Sequence, residues 1–217
     1  LVCDPALAFA ALNAALEPSG RDAPPERDGP MDPPDMGEGN PISGTEAMAA
    51  LGAALPEDAV VVLEAPSATL ALRNQLRLSR PGSYYFGAGG GLGFGLAAAV
   101  GVGLAVPDRP VVAVIGEGSA QYAISAFWSA VAYDVPVTFL VLRNAEYAIL
   151  KWFSLAEGVE GAPGLDLPAL DVAAVAEGYG VYAHRAGDRE SVRGALESAL
   201  ASSAPELVEV PVAPGMS

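Results

Sequence analysis

The sequence predicts an α/β fold, a doubly wound and mainly parallel sheet flanked by helices. Three observations predict it. Continuous apolar runs rich in β-branched residues recur at 59–64 (AVVVLE), 111–116 (VVAVIG) and 137–142 (VTFLVL). Such runs suit strands buried on both faces, because a half-buried strand would alternate apolar with polar residues. Helical periodicity fills the intervals between them. Glycine and polar residues gather where the runs end, as in Gly116-Glu117-Gly118-Ser119.

Taken in order, residues 1–17 read as a helix with Ala and Leu on one side. No initiator Met and no basic-then-apolar signal precede it, so the chain is expected to be a piece of a longer protein. Residues 18–41 carry proline, glycine and acids with almost no bulky apolar side chain, the composition of a linker. The principal domain is expected over 42–217. Ser43-x-x-Glu46 is a capping-box pattern that opens a helix through Leu55. A helix over 67–79 follows the first strand. Residues 81–107 are uncharged but hold nine glycines, which favours close backbone approach in a packed core over a membrane span. Within that segment a helix is expected over 92–106. The second strand leads into a helix over 120–133, on which Ile124, Phe127, Trp128 and Val131 share an apolar face. Beyond the third strand come helices over 147–155, 168–178 and 189–202, with weaker strands at 180–184 and 206–212.

Charge and cysteine usage narrow the function. With 26 acidic against 11 basic residues the net charge is −15, which excludes nucleic acid as a partner. The single cysteine, Cys3, rules out an internal disulfide framework and a cysteine-rich zinc site, and suits the cytoplasm. The lone His184 lies on a late strand and reads as structural.

The chemistry concentrates at the strand ends. In parallel α/β sheets, ligands bind beyond the carboxyl ends of the strands. There Ser119 is placed to cap a helix whose free N–H groups attract anions. A carboxylate at Glu117 would repel a phosphate unless a cation lay between them. The next strand supplies Asn144, 27 residues further on, and the two give hard oxygen ligands suited to Mg²⁺ or Ca²⁺. The pattern implies a diphosphate held through a metal.

Gly116-Glu117-Gly118-Ser119 followed by Asn144 resembles the thiamin diphosphate motif, usually Gly-Asp-Gly and then Asn. The chain further resembles benzoylformate decarboxylases in PGSYYF (81–86), GGLGF (90–94), IGEGSAQYAISAFWSA (115–130), RNAEYAILKWF (143–153) and PGLDLPALD (163–171). The likeness covers about residues 42–213. It implies a thiamin diphosphate-binding fold, thiamin diphosphate and Mg²⁺ as cofactors, and a small 2-oxo acid as the substrate to be decarboxylated.

Residue by residue, the resemblance implies metal ligation by Glu117, by the side-chain oxygen of Asn144 and by the backbone carbonyl of Glu146. It places Ser67, Gly116, Gly118 and Ser119 by the diphosphate. Gly90 offers its carbonyl to the pyrimidine amino group, and Leu92 is the wedge that keeps the cofactor bent. Gly91 and Tyr147 complete the cofactor-binding set, while Ile149, Leu150 and Phe153 face the substrate side chain. No catalytic residue is assigned within this chain. The activating Glu and the catalytic His are expected from an amino-terminal part, the Glu from a second subunit of a homodimer or homotetramer. Residues 1–17 then resemble the last helix of a central domain. Three positions depart from the family: Glu117 replaces Asp, Pro66 stands where Thr is usual, and Ile149 is bulkier than the customary small residue.

Two alternatives compete with this reading. Gly93-x-Gly95-x-x-Ala98, with Glu117 24 residues beyond Gly93, approximates a dinucleotide-binding fingerprint. A noncatalytic cofactor-binding or assembly domain is the other, with Phe127, Trp128, Trp152 and Phe153 as core or interface aromatics.

Overall fold

The computed structural model describes residues 4–17, 20 and 41–217. All but Gly20 and Pro41 of the expected linker lie outside that set. Helix α1 (Pro5–Ala15) starts at Asp4, whose side chain accepts the Leu7 N–H, and none of its residues is buried.

The capping box forms as the sequence implies. Ser43 Oγ accepts the Glu46 N–H, Glu46 in turn accepts the Ser43 N–H, and α2 (Gly44–Ala54) follows. Strand β1 (Val60–Glu64) leads through a 3₁₀ turn (Pro66–Ala68) into α3 (Thr69–Gln75). That helix is shorter than the expected 67–79: Pro66 opens a tighter turn first, and Leu76 takes an extended conformation that ends it. Strand β2 (Tyr84–Phe86), which the sequence did not announce, is three residues long and paired with β1 alone. Helix α4 (Gly95–Ala105), β3 (Val111–Gly116), α5 (Glu117–Ala120) and α6 (Ala126–Ala132) come next. The single helix expected over 120–133 is thus broken. Between α5 and α6 the amides of Tyr122 and Ala123 reach back three residues, to Ser119 and Ala120, as in a 3₁₀ turn.

Strand β4 (Val137–Arg143), α7 (Ala148–Ala156), α8 (Val172–Gly178), β5 (Tyr182–Arg185), α9 (Arg189–Leu200) and β6 (Glu206–Pro211) complete the domain. The six strands lie in the order β2-β1-β3-β4-β6-β5, and every pairing is parallel. His184 is structural, with its Nε2 2.7 Å from Glu206 Oε2 on the neighbouring strand.

The apolar runs now have a cause. Val61, Leu63, Val112, Val114 and Leu140 pack under α2, α3 and α9. Their neighbours Val60, Val62, Ala113, Ile115 and Phe139 pack under α4, α6 and α8. Phe127 meets Phe139 edge to face at 5.0 Å in the second core. Trp128, expected on the same apolar face, is instead 55% exposed, because α6 presents only Phe127 and its small neighbours to the sheet. Among the described residues no helix is long and apolar enough to cross a membrane.

Helix α4 offers an internal comparison. A Cβ on Gly103 would lie 2.5 Å from Val135 Cγ1, whereas one on Gly101 would meet nothing within 4 Å. Gly103→Ala is expected to destabilise the fold by about 1–3 kcal/mol through overpacking. Gly101→Ala should stabilise it by about 0.5–1 kcal/mol through helix propensity. Urea denaturation of the two variants reads the difference in sign.

Candidate functional site

Strands β2 and β3 lie on opposite sides of β1, so the winding reverses there and leaves a crevice beyond the carboxyl ends of β1 and β3. A cavity of about 450 Å³ occupies it. Pro66 and Ser67 enter from the turn after β1, residues 116–119 from the end of β3, and Leu142 and Asn144 from the end of β4. Helix α7 contributes Ile149, Leu150 and Phe153 to the apolar side. Gly90 and Leu92 come from the glycine-rich loop. Every site residue singled out from the sequence lines this cavity except Gly91, which lines a second cavity of about 270 Å³ behind Leu92.

Glu117 is the polar centre. It is 2% exposed, and its Oε1 accepts the Ala145 N–H at 2.5 Å. Burial holds its carboxyl above the usual carboxylate range, while its own N–H and those of Ala145, Asn144 and Glu146 pull the other way. The side chain therefore spans from β3 to the turn after β4. Asn144 Oδ1 accepts the Glu146 N–H at 3.3 Å across that turn. Ala145, at its apex, has φ +60°, a left-handed conformation that disfavours a side chain. Glu146 bridges to Asp166 through the Ala145 carbonyl and the Tyr147 amide, which leaves its own carbonyl outside that pairing. Its carboxylate is engaged elsewhere, accepting from Lys151 Nζ at 2.5 Å and the Gly215 N–H at 2.7 Å.

The available donors are thus a carboxylate, an amide oxygen and a main-chain carbonyl, the chemistry of a hard cation. Among the described residues no group of three or more His, Cys, Asp or Glu could hold a metal by itself. A cation held by these three donors alone would still need oxygens from outside the protein to fill its shell.

One local expectation needs correcting. Ser119 does not cap a helix: α5 already begins at Glu117, its N-cap is Gly116, and Ser119 lies inside the turn. Gly118 lines the cavity with the Tyr147 ring packed where its Cβ would be, and Leu167 Cδ1 would be 2.8 Å away. Burial, then the adjacent Tyr122, raises the Tyr147 hydroxyl above its ordinary value, so it remains a neutral donor. Tyr122, Val212 and Ser217 also reach the cavity without having been singled out. Ser217 arrives by donating its N–H to the Ser67 carbonyl in the turn after β1, a contact between distant segments that no local pattern carries. Glu64 was likewise passed over. Its signal was present: one carboxylate closing an otherwise apolar strand.

Glu64 also counts against the dinucleotide alternative. Its carboxylate accepts the Gly93 N–H at 2.6 Å and makes a short hydrogen bond with the Gly95 N–H. The amides at the start of α4 that a pyrophosphate would need are already taken by an anion.

The fold and its cavity define a domain built to hold an anionic cofactor at the switch point of a parallel sheet. The chain belongs to the thiamine pyrophosphate enzymes: the family described as thiamine pyrophosphate enzyme, C-terminal TPP binding domain, matches residues 66–210. It is 46% identical to a benzoylformate decarboxylase of Pseudomonas aeruginosa over 97% of this chain and 40% of the relative. Its backbone superimposes on the thiamine diphosphate-dependent 4-hydroxybenzoylformate decarboxylase of Rhodococcus jostii with a TM-score of 0.89, at 41% identity over 95% of this chain and 39% of the other. A benzoylformate decarboxylase from Polynucleobacter necessarius gives 0.82 and 32% identity, over 87% of this chain and 36% of the other. The chain therefore spans about two-fifths of the length of these relatives.

The burial of Glu117 carries a consequence for the ligand-free protein. An ionised carboxylate with no cation beside it is held in a desolvated place. Glu117→Gln keeps the shape without the charge and is expected to raise the melting temperature at neutral pH. Scanning calorimetry of the two forms without added metal checks it.

Proposed function

We propose that this chain is the cofactor-diphosphate domain of a thiamin diphosphate- and Mg²⁺-dependent enzyme that decarboxylates a 2-oxo acid with an apolar, benzoylformate-like side chain. The observation that carries the proposal is the convergence of oxygen donors, glycine-rich loop and apolar wall on one cavity at the switch point.

In this reading Glu117, the Asn144 side-chain oxygen and the Glu146 carbonyl hold Mg²⁺. Gly116, Gly118, Ser119 and Ser67 lie around the diphosphate, and the neutral Tyr147 hydroxyl stands beside it as a donor. The extra methylene of Glu117, compared with Asp, is accommodated by the reach of its carboxylate to the Ala145 amide. Leu92 would support a bend between the cofactor's rings, and the Gly90 carbonyl would accept from the pyrimidine amino group. When bound, thiamin diphosphate supplies the electron sink that lets a 2-oxo acid release carbon dioxide. Ile149, Leu150 and Phe153 give the substrate's apolar end a dry surface, and Ile149 narrows it. The relatives named above, two of them called benzoylformate decarboxylases and one a 4-hydroxybenzoylformate decarboxylase, support this substrate class.

The groups that activate the cofactor and move protons to and from the substrate belong to the portion of the longer relatives that this chain does not span. A homodimer or homotetramer would bring such a portion to the cavity. Helix α4 supports association: its sequence GLAAAVGVGLA has no polar side chain, and Leu104 is 58% exposed on it.

Melting curves test the binding half. Thiamin diphosphate with Mg²⁺ at a hundredfold excess over Kd should stabilise the fold by about 2.7 kcal/mol. Omitting Mg²⁺, or introducing Glu117→Ala or Asn144→Ala, should abolish that gain. Stabilisation by NAD⁺ without metal would overturn the assignment. Carbon dioxide release from benzoylformate by the intact enzyme tests the catalytic half. Cofactor binding without such release would leave the noncatalytic alternative in its place.

A further inference from the structure

The loop from 87 to 94 carries Gly90 and Leu92 into the cavity, yet its own sequence, GAGGGLGF, does little to fix its path. Gly89, Gly90 and Gly91 have open space where a Cβ would be, and Gly90 and Gly93 have φ of +67° and +104°. Its one internal backbone bond is the turn from the Gly90 N–H to the Gly87 carbonyl. Such a segment loses much conformational entropy when ordered and needs an outside tether.

Leu92 also has somewhere to go. It lines both the 450 Å³ cavity and the 270 Å³ cavity behind it. Space on both sides means that packing alone does not hold it forward.

Glu64 provides the tether. Its carboxylate, 8% exposed at the end of β1, receives the Gly93 N–H at 2.6 Å and the Gly95 N–H at the first turn of α4. The N-cap residue Phe94 makes no capping bond of its own, so this anchor comes from a strand 31 residues earlier than Gly95. Gly95 is fitted to it: a Cβ there would lie 2.7 Å from Glu64 Cβ and 2.6 Å from Ile115 Cδ1. Gly93 lies outside the helix and directly follows Leu92, so the bond to Gly93 does more than finish a helix end. Among the described residues Glu64 forms no ion pair, and a buried carboxylate held only by amides is a strong, directional clamp.

We infer that Glu64 is a positioning residue for the ring end of the cofactor: by holding Gly93 and Gly95 it sets Gly90 and Leu92 against the cavity. The inference rests on the thiamin diphosphate reading, and it separates the two ends of that ligand. The diphosphate end depends on Ser67 and on the ends of β3 and β4; the Glu64 backbone pairs with Ile115 there, but among the described residues its carboxylate bonds only to the glycine-rich loop and the start of α4. Only the ring end depends on the loop.

Glu64→Gln is the direct probe. A side-chain amide offers one acceptor and one donor where two N–H groups require two acceptors. Calorimetric titration of the full chain with Mg²⁺ should show thiamin diphosphate binding weakened about tenfold, the order expected for one mismatched buried hydrogen bond. Inorganic diphosphate with Mg²⁺, which has no ring end, should bind within about twofold of the original value. Leu92→Ala should give the same selective loss, and Glu64→Gln added to it should weaken binding little further. If Glu64→Gln fails to fold, Glu64→Asp, which keeps the charge but shortens its reach, is read in the same way. Equal weakening of both ligands, or no weakening of either, overturns the inference and leaves the site assignment standing. If the unaltered chain binds neither thiamin diphosphate nor inorganic diphosphate with Mg²⁺, the site assignment falls and the inference falls with it.

Discussion

A parallel sheet covered by helices on both faces buries the side chains along its central strands, so an ionised group there must sit at a strand end or find partners inside. Three carboxylates follow this rule. Glu64, Glu117 and Glu209 are 8%, 2% and 5% exposed. Each is met by main-chain N–H groups at the start of another segment: Glu64 by Gly93 and Gly95, Glu117 by Ala145, Glu209 by Ala173. Glu209 also has a cation, with Arg143 Nε 3.3 Å away. Among the described residues the other two have none.

These contacts bind the walls of the cavity to one another. Glu117 joins the end of β3 to the turn after β4, and Glu64 joins the end of β1 to the glycine-rich loop. The Arg143–Glu209 pair then anchors the residue immediately before Asn144 to β6. Hydrophobic packing positions the strands, but it is blind to direction at their ends. Hydrogen bonds to charged oxygens are directional, and they hold an oxygen or a carbonyl in place. The left-handed Ala145 fits the same account, since a strained apex persists where its neighbours on both sides are fixed.

The fold was legible because its signals are local or periodic. The three apolar runs became β1, β3 and β4 within a residue at each end, and the capping box formed as read. Strand β2 was hidden because three residues with one neighbour need no apolar run. The break between α5 and α6 was hidden because the apolar spacing at Ile124 and Phe127 continues across the tight turn. In the site, Glu117 and Asn144 were visible through their order along the chain. The closure of Gly118 by Tyr147 and the arrival of Ser217 were not, since both depend on which distant segments meet.

The cavity is shaped by charge as well as by packing. A chain of net charge −15 is a poor host for a diphosphate unless its acids are kept away from the ligand. The cavity wall has two acidic residues, Glu117 and Glu146, and no basic one. Glu146 turns its carboxylate away to Lys151 and the Gly215 amide. Glu117 alone therefore keeps a carboxylate among the donor oxygens. One carboxylate would leave a divalent cation bound there with positive charge to spare, and such a charge would attract phosphate oxygens. A second inward carboxylate would put another negative charge on the same wall and disfavour an anionic ligand there. The Glu146 side chain thus shapes the cavity by keeping its charge out of it.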